Sequence, residues 1–137
     1  MKLLKITWWT NEFIKLFFTN KKMDKYENMT LREKQSLFLK NVAKLILWAF
    51  DNGYELTGGE LLRTKEQQEV YYNEGKSKTI NSQHLKKLAI DLNLFIDGKY
   101  QYESEAYKPL AEYWKSLHPN NVAGYDWGWD ANHFEMK

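Results

Sequence analysis

The sequence predicts an α+β domain in which a small antiparallel sheet carries helices on one side. Three observations predict it. Leu88, Ile90, Leu92, Leu94 and Ile96 alternate with Ala89, Asp91, Asn93 and Phe95, the period of a strand. Asp97-Gly98 then gives a hairpin turn signal, with Lys99-Tyr100-Gln101-Tyr102 returning. Two stretches, around residues 30–53 and 104–117, instead repeat their apolar residues at helical spacing. At 137 residues the chain fits one domain with a real core, and no repeat or low-complexity tract divides it.

Residues 1–28 form an N-terminal extension. Ile6, Trp9, Phe13, Leu16 and Phe17 share one face of a helix, and that stripe is expected to pack on its own domain. A membrane surface or a partner chain is the other destination such a stripe can have. Asn11, Glu12 and Lys15 interrupt the apolar run before a signal-peptide core or a membrane span can form. Asn20-Lys21-Lys22-Met23-Asp24-Lys25 reads as a solvated linker.

The domain proper is expected over 29–137. Thr30 with Glu33 makes a capping box, Phe38, Val42, Leu45, Ile46 and Ala49 follow as a core face, and Gly53 supplies the left-handed stop. Tyr54-Glu55-Leu56-Thr57 is a short strand ending at Gly58-Gly59. Thr64 with Gln67 gives a second capping box, opening a short helix that Gly75 closes. Arg63 therefore precedes a helix N-terminus, where a guanidinium can clamp a carboxylate; the plainer reading is a surface salt bridge. Lys76 to Gln83 reads as loop. Ser104 is expected to cap a helix to Leu117 whose inner face is Ala106, Leu110, Tyr113, Trp114 and Leu117. His118-Pro119 ends it, and a charged His118 would complement the helix dipole. Asn120 to Trp129 reads as an aromatic loop, and His133-Phe134-Glu135-Met136 alternates as a closing strand.

Composition narrows the chemistry. A net charge of +2 is too small to argue for nucleic acid. Six Trp, nine Tyr and seven Phe can grip sugars or peptides but serve equally as core. With no cysteine, any metal must sit on imidazole and carboxylate, which suits zinc. His84, seven positions before Asp91, and His133, three after Asp130, offer the needed groups. Two His and one Asp are a sufficient donor set for a catalytic zinc, which keeps its fourth position open. Asp130 would then be free to act as general base, with Glu135 the next candidate. A loop His, a strand Asp and a closing-strand His can converge at one sheet edge.

Ser82-x-His84, Ala89-x-Asp91 and Asp130-x-x-His133-Phe134-Glu135 together resemble the peptidoglycan-cleaving zinc peptidases. That family includes the D-alanyl-D-alanine carboxypeptidases, the vancomycin-resistance dipeptidases and the L-alanyl-D-glutamate endopeptidases of phage endolysins. The resemblance runs from about residue 35 to 137 and takes in Arg63-Thr64 with Gln67 and Tyr71, and Asp97-Gly98-Lys99-Tyr100. It implies zinc at the sheet edge on His84, Asp91 and His133, Asp130 as base, and Arg63 against substrate or the developing oxyanion. Ser82, Gln67 and Trp127 are expected beside the substrate. The implied partner is bacterial peptidoglycan, the L-Ala-D-Glu bond being favoured, for a monomer or small oligomer. A D-Ala-D-Ala carboxypeptidase and a non-catalytic wall-binding or virion protein stay open as alternatives. Without a recognised signal peptide, the expectation is a phage enzyme released from the host cytoplasm through a holin, or one carried in the virion. Three features depart from the family: Lys87 stands where glycine is usual, the 125–129 loop reaches Asp130 early, and residues 1–28 match nothing in it.

Overall fold

A computed structural model describes the backbone of residues 2–137 and the side chains of residues 11–137. Four α-helices and five short strands alternate as α1 (Lys2–Glu27), α2 (Leu31–Asp51), β1 (Glu55–Gly58), α3 (Lys65–Asn73), β2 (Ala89–Ile96), β3 (Lys99–Tyr100), α4 (Lys108–Leu117), β4 (Asn121–Ala123) and β5 (His133–Met136). The sheet is antiparallel, in the order β1-β2-β5-β4, with β3 added to β2 as a hairpin. Asp97 and Gly98 both have positive φ, 51° and 71°, the condition for the tight turn that the Asp-Gly pair signals.

Helices α2 and α4 close the core over one face of this sheet. Phe38 of α2 meets Trp114 of α4 edge-on at 5.7 Å, and Trp114 meets Phe134 of β5 the same way at 6.0 Å. All three rings are buried, each stabilising the fold by roughly 1.5–3 kcal/mol. The indole N–H of Trp114 donates to the carbonyls of Val122 and Glu135, so its polar edge is satisfied inside the core. The Thr30–Glu33 capping box forms as the sequence predicts.

Local chemistry overrides the pattern in several places. Thr64 accepts from the Gln67 N–H, yet no reciprocal bond from the Gln67 side chain completes a box. Ser104 does not cap α4; residues Ser104–Tyr107 form a 3-10 turn, and α4 starts afterwards with Pro109 in its first turn, where a missing N–H costs nothing. The expected loop 120–129 contains strand β4, whose three residues are too few to show a period. His118 caps α4 but as a neutral ring: burial and the charge of Lys22 lower its pKa, and Nδ1 accepts the Asn120 N–H.

The N-terminal extension departs most from expectation. Helix α1 continues through 20–25, where composition alone suggests a linker. Tyr26 at its end is buried against the His118 ring at 5.5 Å. Three residues of the apolar stripe, Phe13, Leu16 and Phe17, do not pack on the domain but are exposed. The side chains of Ile6 and Trp9, the rest of that stripe, lie outside the described residues.

Candidate metal centre

His84 sits in a 3-10 turn, Gln83–Lys86, that Ser82 begins by accepting the His84 N–H on its hydroxyl. Lys87 ends the turn with φ 56° and ψ 38°. That is the left-handed region in which glycine is at ease, so the chain keeps the turn with a residue that is strained there. Gln35 of α2 ties the turn down by donating to the Lys86 carbonyl.

Asp91 and His133 are direct cross-strand partners on β2 and β5. Residues two apart on a strand share a face, so Glu135 stands beside His133, opposite the small Ala89. A strap formed by residues 59–63 joins these elements. The Gly59 N–H donates to the Asp91 carbonyl, the Asp91 N–H to Glu60, and the Arg63 N–H to the His84 carbonyl. A Cβ at position 59 would lie 2.9 Å from the Asp91 carbonyl oxygen, so only glycine admits this approach. At position 124 a Cβ would collide with the Asp130 carbonyl oxygen, which the turn into β5 brings close.

The result is a three-donor cluster. His84 Nε2 and His133 Nδ1 each lie 3.3 Å from the same oxygen of Asp91. Tetrahedral zinc with bonds of about 2.0–2.1 Å separates its ligand atoms by about 3.3 Å. His84 Nε2 is buried and has no hydrogen-bond partner, while its Nδ1 lies 3.1 Å from the Leu61 carbonyl. That carbonyl can only accept, so the ring proton belongs on Nδ1 and the lone pair of Nε2 points into the cluster. A buried lone pair without a partner is costly, and a metal ion would satisfy it. His133 has the complementary arrangement: its Nε2 donates to Glu135 at 2.9 Å, leaving Nδ1 toward Asp91. The residues therefore fit a metal ion, and the donor set is one that zinc uses.

The electrostatics follow from these contacts. Burial works against a charged Asp91, but the adjacent His133 and His84 rings outweigh it and hold the carboxyl at about 2. Burial likewise opposes a charged His133, yet bonds to Asp91 and Glu135 lift it to about 9 in the metal-free protein. Asp130, whose Oδ2 is 3.8 Å from His133 Nδ1, is pushed up chiefly by burial, with the Asp91 charge adding to it.

A cavity of about 540 Å³ opens over the cluster. Arg63, Ser82, Trp127 and Asp130 line it together with the three donors. Gln67 is not among its lining residues; the adjacent Gln68 is the buried one, accepting from Arg63 and donating to Ser77 and Thr79. Arg63 is no surface salt bridge, its side chain being 10% exposed. Its Nε and one Nη donate to the two oxygens of Glu60, and the guanidinium lies over Tyr71. Trp127 stacks on Trp129 and stands 5.1 Å from the His133 ring. Glu60 and the Leu61 carbonyl escape a reading of the sequence, and Glu135, there a second candidate for the base, instead accepts from His133 Nε2. The His-x-Glu spacing on a strand was the available signal for Glu135. Nothing local marks the other two.

Two imidazoles and a carboxylate gathered at a sheet edge are a donor set that metal-dependent hydrolases use. No family model matches the chain. An L-alanyl-D-glutamate peptidase of Listeria phage A118 is 37% identical over 95 residues, which span 66% of this chain and 31% of that protein. Among solved structures, the L-Ala D-Glu endopeptidase ChiX of Serratia marcescens superposes with a TM-score of 0.58 at 18% identity, covering 87% of this chain and 88% of that one. A zinc-bound vancomycin-resistance D,D-pentapeptidase, VanY, superposes with a TM-score of 0.51 at 19% identity, over 72% of this chain and 70% of that one. The chain is similar in sequence to a phage peptidoglycan peptidase and in fold to two further peptidases, in keeping with the resemblance its motifs carry. It spans about a third of the length of the phage relative, and the two solved structures are similar to it in fold.

Proposed function

We propose that the chain is a zinc-dependent peptidase of the peptidoglycan stem peptide, cutting the L-Ala-D-Glu bond, with residues 29–137 as the catalytic unit. The observation that carries this reading is the buried, partnerless Nε2 of His84, aimed with His133 Nδ1 at one oxygen of Asp91. Choice of the internal bond over a terminal D-Ala-D-Ala bond rests on Arg63. The guanidinium edge that would clamp a free C-terminal carboxylate is already filled by both oxygens of Glu60. The phage A118 relative supports a phage lytic or virion-borne enzyme, released through a holin or carried in the particle.

In this reading His84, Asp91 and His133 hold the zinc. When bound there, the ion would supply Lewis acidity toward the scissile carbonyl and the attacking water. The Leu61 carbonyl and Glu135 keep both imidazoles in the tautomers that free the liganding nitrogens. Asp130 takes the proton of the attacking water on its carboxylate and passes it to the leaving amine. Its raised pKa makes that transfer easier than an ordinary aspartate would. Three of the five Arg63 N–H groups are engaged by Glu60 and Gln68, leaving two to stabilise negative charge on the carbonyl oxygen. Trp127 and Trp129 form one side of the cleft, and Lys78, 4.6 Å over Trp129, offers a charge to a substrate carboxylate.

Asp130→Asn tests the assignment of the base. The variant keeps the ligands and nearly the same volume but cannot accept the proton. It is expected to bind zinc and wall fragments normally while cleaving muropeptides at least about a hundredfold more slowly. Undiminished cleavage, or loss of zinc, would overturn the role given to Asp130.

A further inference from the structure

Helix α1 presents the wrong face to its own domain. The groove between it and the end of α4 is lined from α1 by Asn11, Ile14, Lys15, Phe18, Thr19 and Lys22, a mixed face of two apolar and four polar residues. Phe13, Leu16 and Phe17, spaced i, i+3 and i+4, lie on the opposite face and are 71%, 61% and 56% exposed. A helix that served only to extend the core would be turned the other way. Tyr26, buried at its C-terminal end, anchors it in this orientation.

The charge distribution selects the occupant. Lys2–Glu27 holds six lysines against Glu12, Asp24 and Glu27, so α1 carries +3 while the rest of the chain carries −1. The basic excess of the whole chain is thus confined to the helix with the outward apolar face. A second copy docking through the same face would bring two such helices together as like charges. An anionic lipid surface would neutralise them and receive the aromatic rings as well. Among the described residues no helix is long and apolar enough to cross a membrane, so the fit is to a helix lying in the interface.

We propose that α1 docks the protein on an anionic membrane surface, its Phe13-Leu16-Phe17 face entering the lipid and the net positive charge of the helix drawing it there. This rests on observations separate from the metal centre. The test is sedimentation of the full chain with vesicles of phosphatidylcholine, alone or mixed with phosphatidylglycerol, at low and high salt. Binding is expected to the mixed vesicles, weaker at high salt, and at least about tenfold weaker for Phe13→Ser/Phe17→Ser. Both rings are exposed, so that variant is expected to melt with wild type and to cleave soluble muropeptides at the wild-type rate. Absence of binding to the mixed vesicles at low salt, or equal binding by the double variant, would overturn the proposal. A wild-type dimer that the double variant abolishes would assign the face to a second copy instead.

Discussion

Zinc affinity should rise steeply with pH between 7 and 9, because a proton must leave His133 before its Nδ1 can hold a metal. Burial disfavours that proton, but bonds to Asp91 and Glu135 hold it to about pH 9. Asp91, at about 2, stays ionised throughout the range. One proton is therefore displaced from His133, and apparent affinity should gain nearly tenfold from pH 7 to 8 and about fiftyfold from pH 7 to 9, levelling off above. Glu135→Gln separates the two jobs of the carboxylate. The amide oxygen can still accept the Nε2–H bond that Glu135 makes at 2.9 Å, but the charge is gone. At pH 9 the variant should bind zinc about 10- to 100-fold more weakly, the usual effect of losing such an outer partner. At pH 7 the deficit should shrink, since the competing proton is also held less tightly. Competition against a chromophoric chelator at fixed ionic strength measures both quantities. An affinity independent of pH, or equal deficits at pH 7 and 9, would refute the reasoning.

Other substitutions probe the surrounding frame. Lys87→Gly relieves a left-handed residue at the end of the His84 turn and should raise stability by about 0.5–1 kcal/mol in denaturant titration, glycine's extra unfolded-state entropy offsetting part of the gain. Arg63→Lys loses the planar fork shared by Glu60 and Gln68; turnover of muropeptides should fall while zinc stays bound. Unchanged kinetics would confine Arg63 to holding the strap in place.

The parts of this structure legible in the sequence are those governed by a local period or a local turn. Strand β2, its Asp97-Gly98 turn and the box at Thr30 belong here, as does the convergence of His84, Asp91 and His133. Strand β4 was not legible, because three residues cannot display an alternation. Helix α1 follows its period but not its expected packing, since periodicity reveals which residues share a face and not which way that face turns. The Leu61 carbonyl and Glu60 were invisible for another reason. Their roles come from the strap between β1 and α3 lying along Asp91 and His84, a juxtaposition that arises only once the chain has folded. Lys87 shows the converse: the backbone conformation suits glycine, yet another residue tolerates it.

The central claim is that the His84, Asp91 and His133 cluster holds a zinc that this chain uses to cut stem peptides. It is tested most directly by digesting purified muropeptides with the metal-stripped chain, before and after zinc is restored at one ion per chain, and weighing the products. The stripped protein is expected to leave muropeptides intact and, on restoring zinc, to release fragments separated between L-Ala and D-Glu. Fragments of the same mass released by the stripped protein, or intact muropeptides after zinc loading across several wall chemistries, would contradict it.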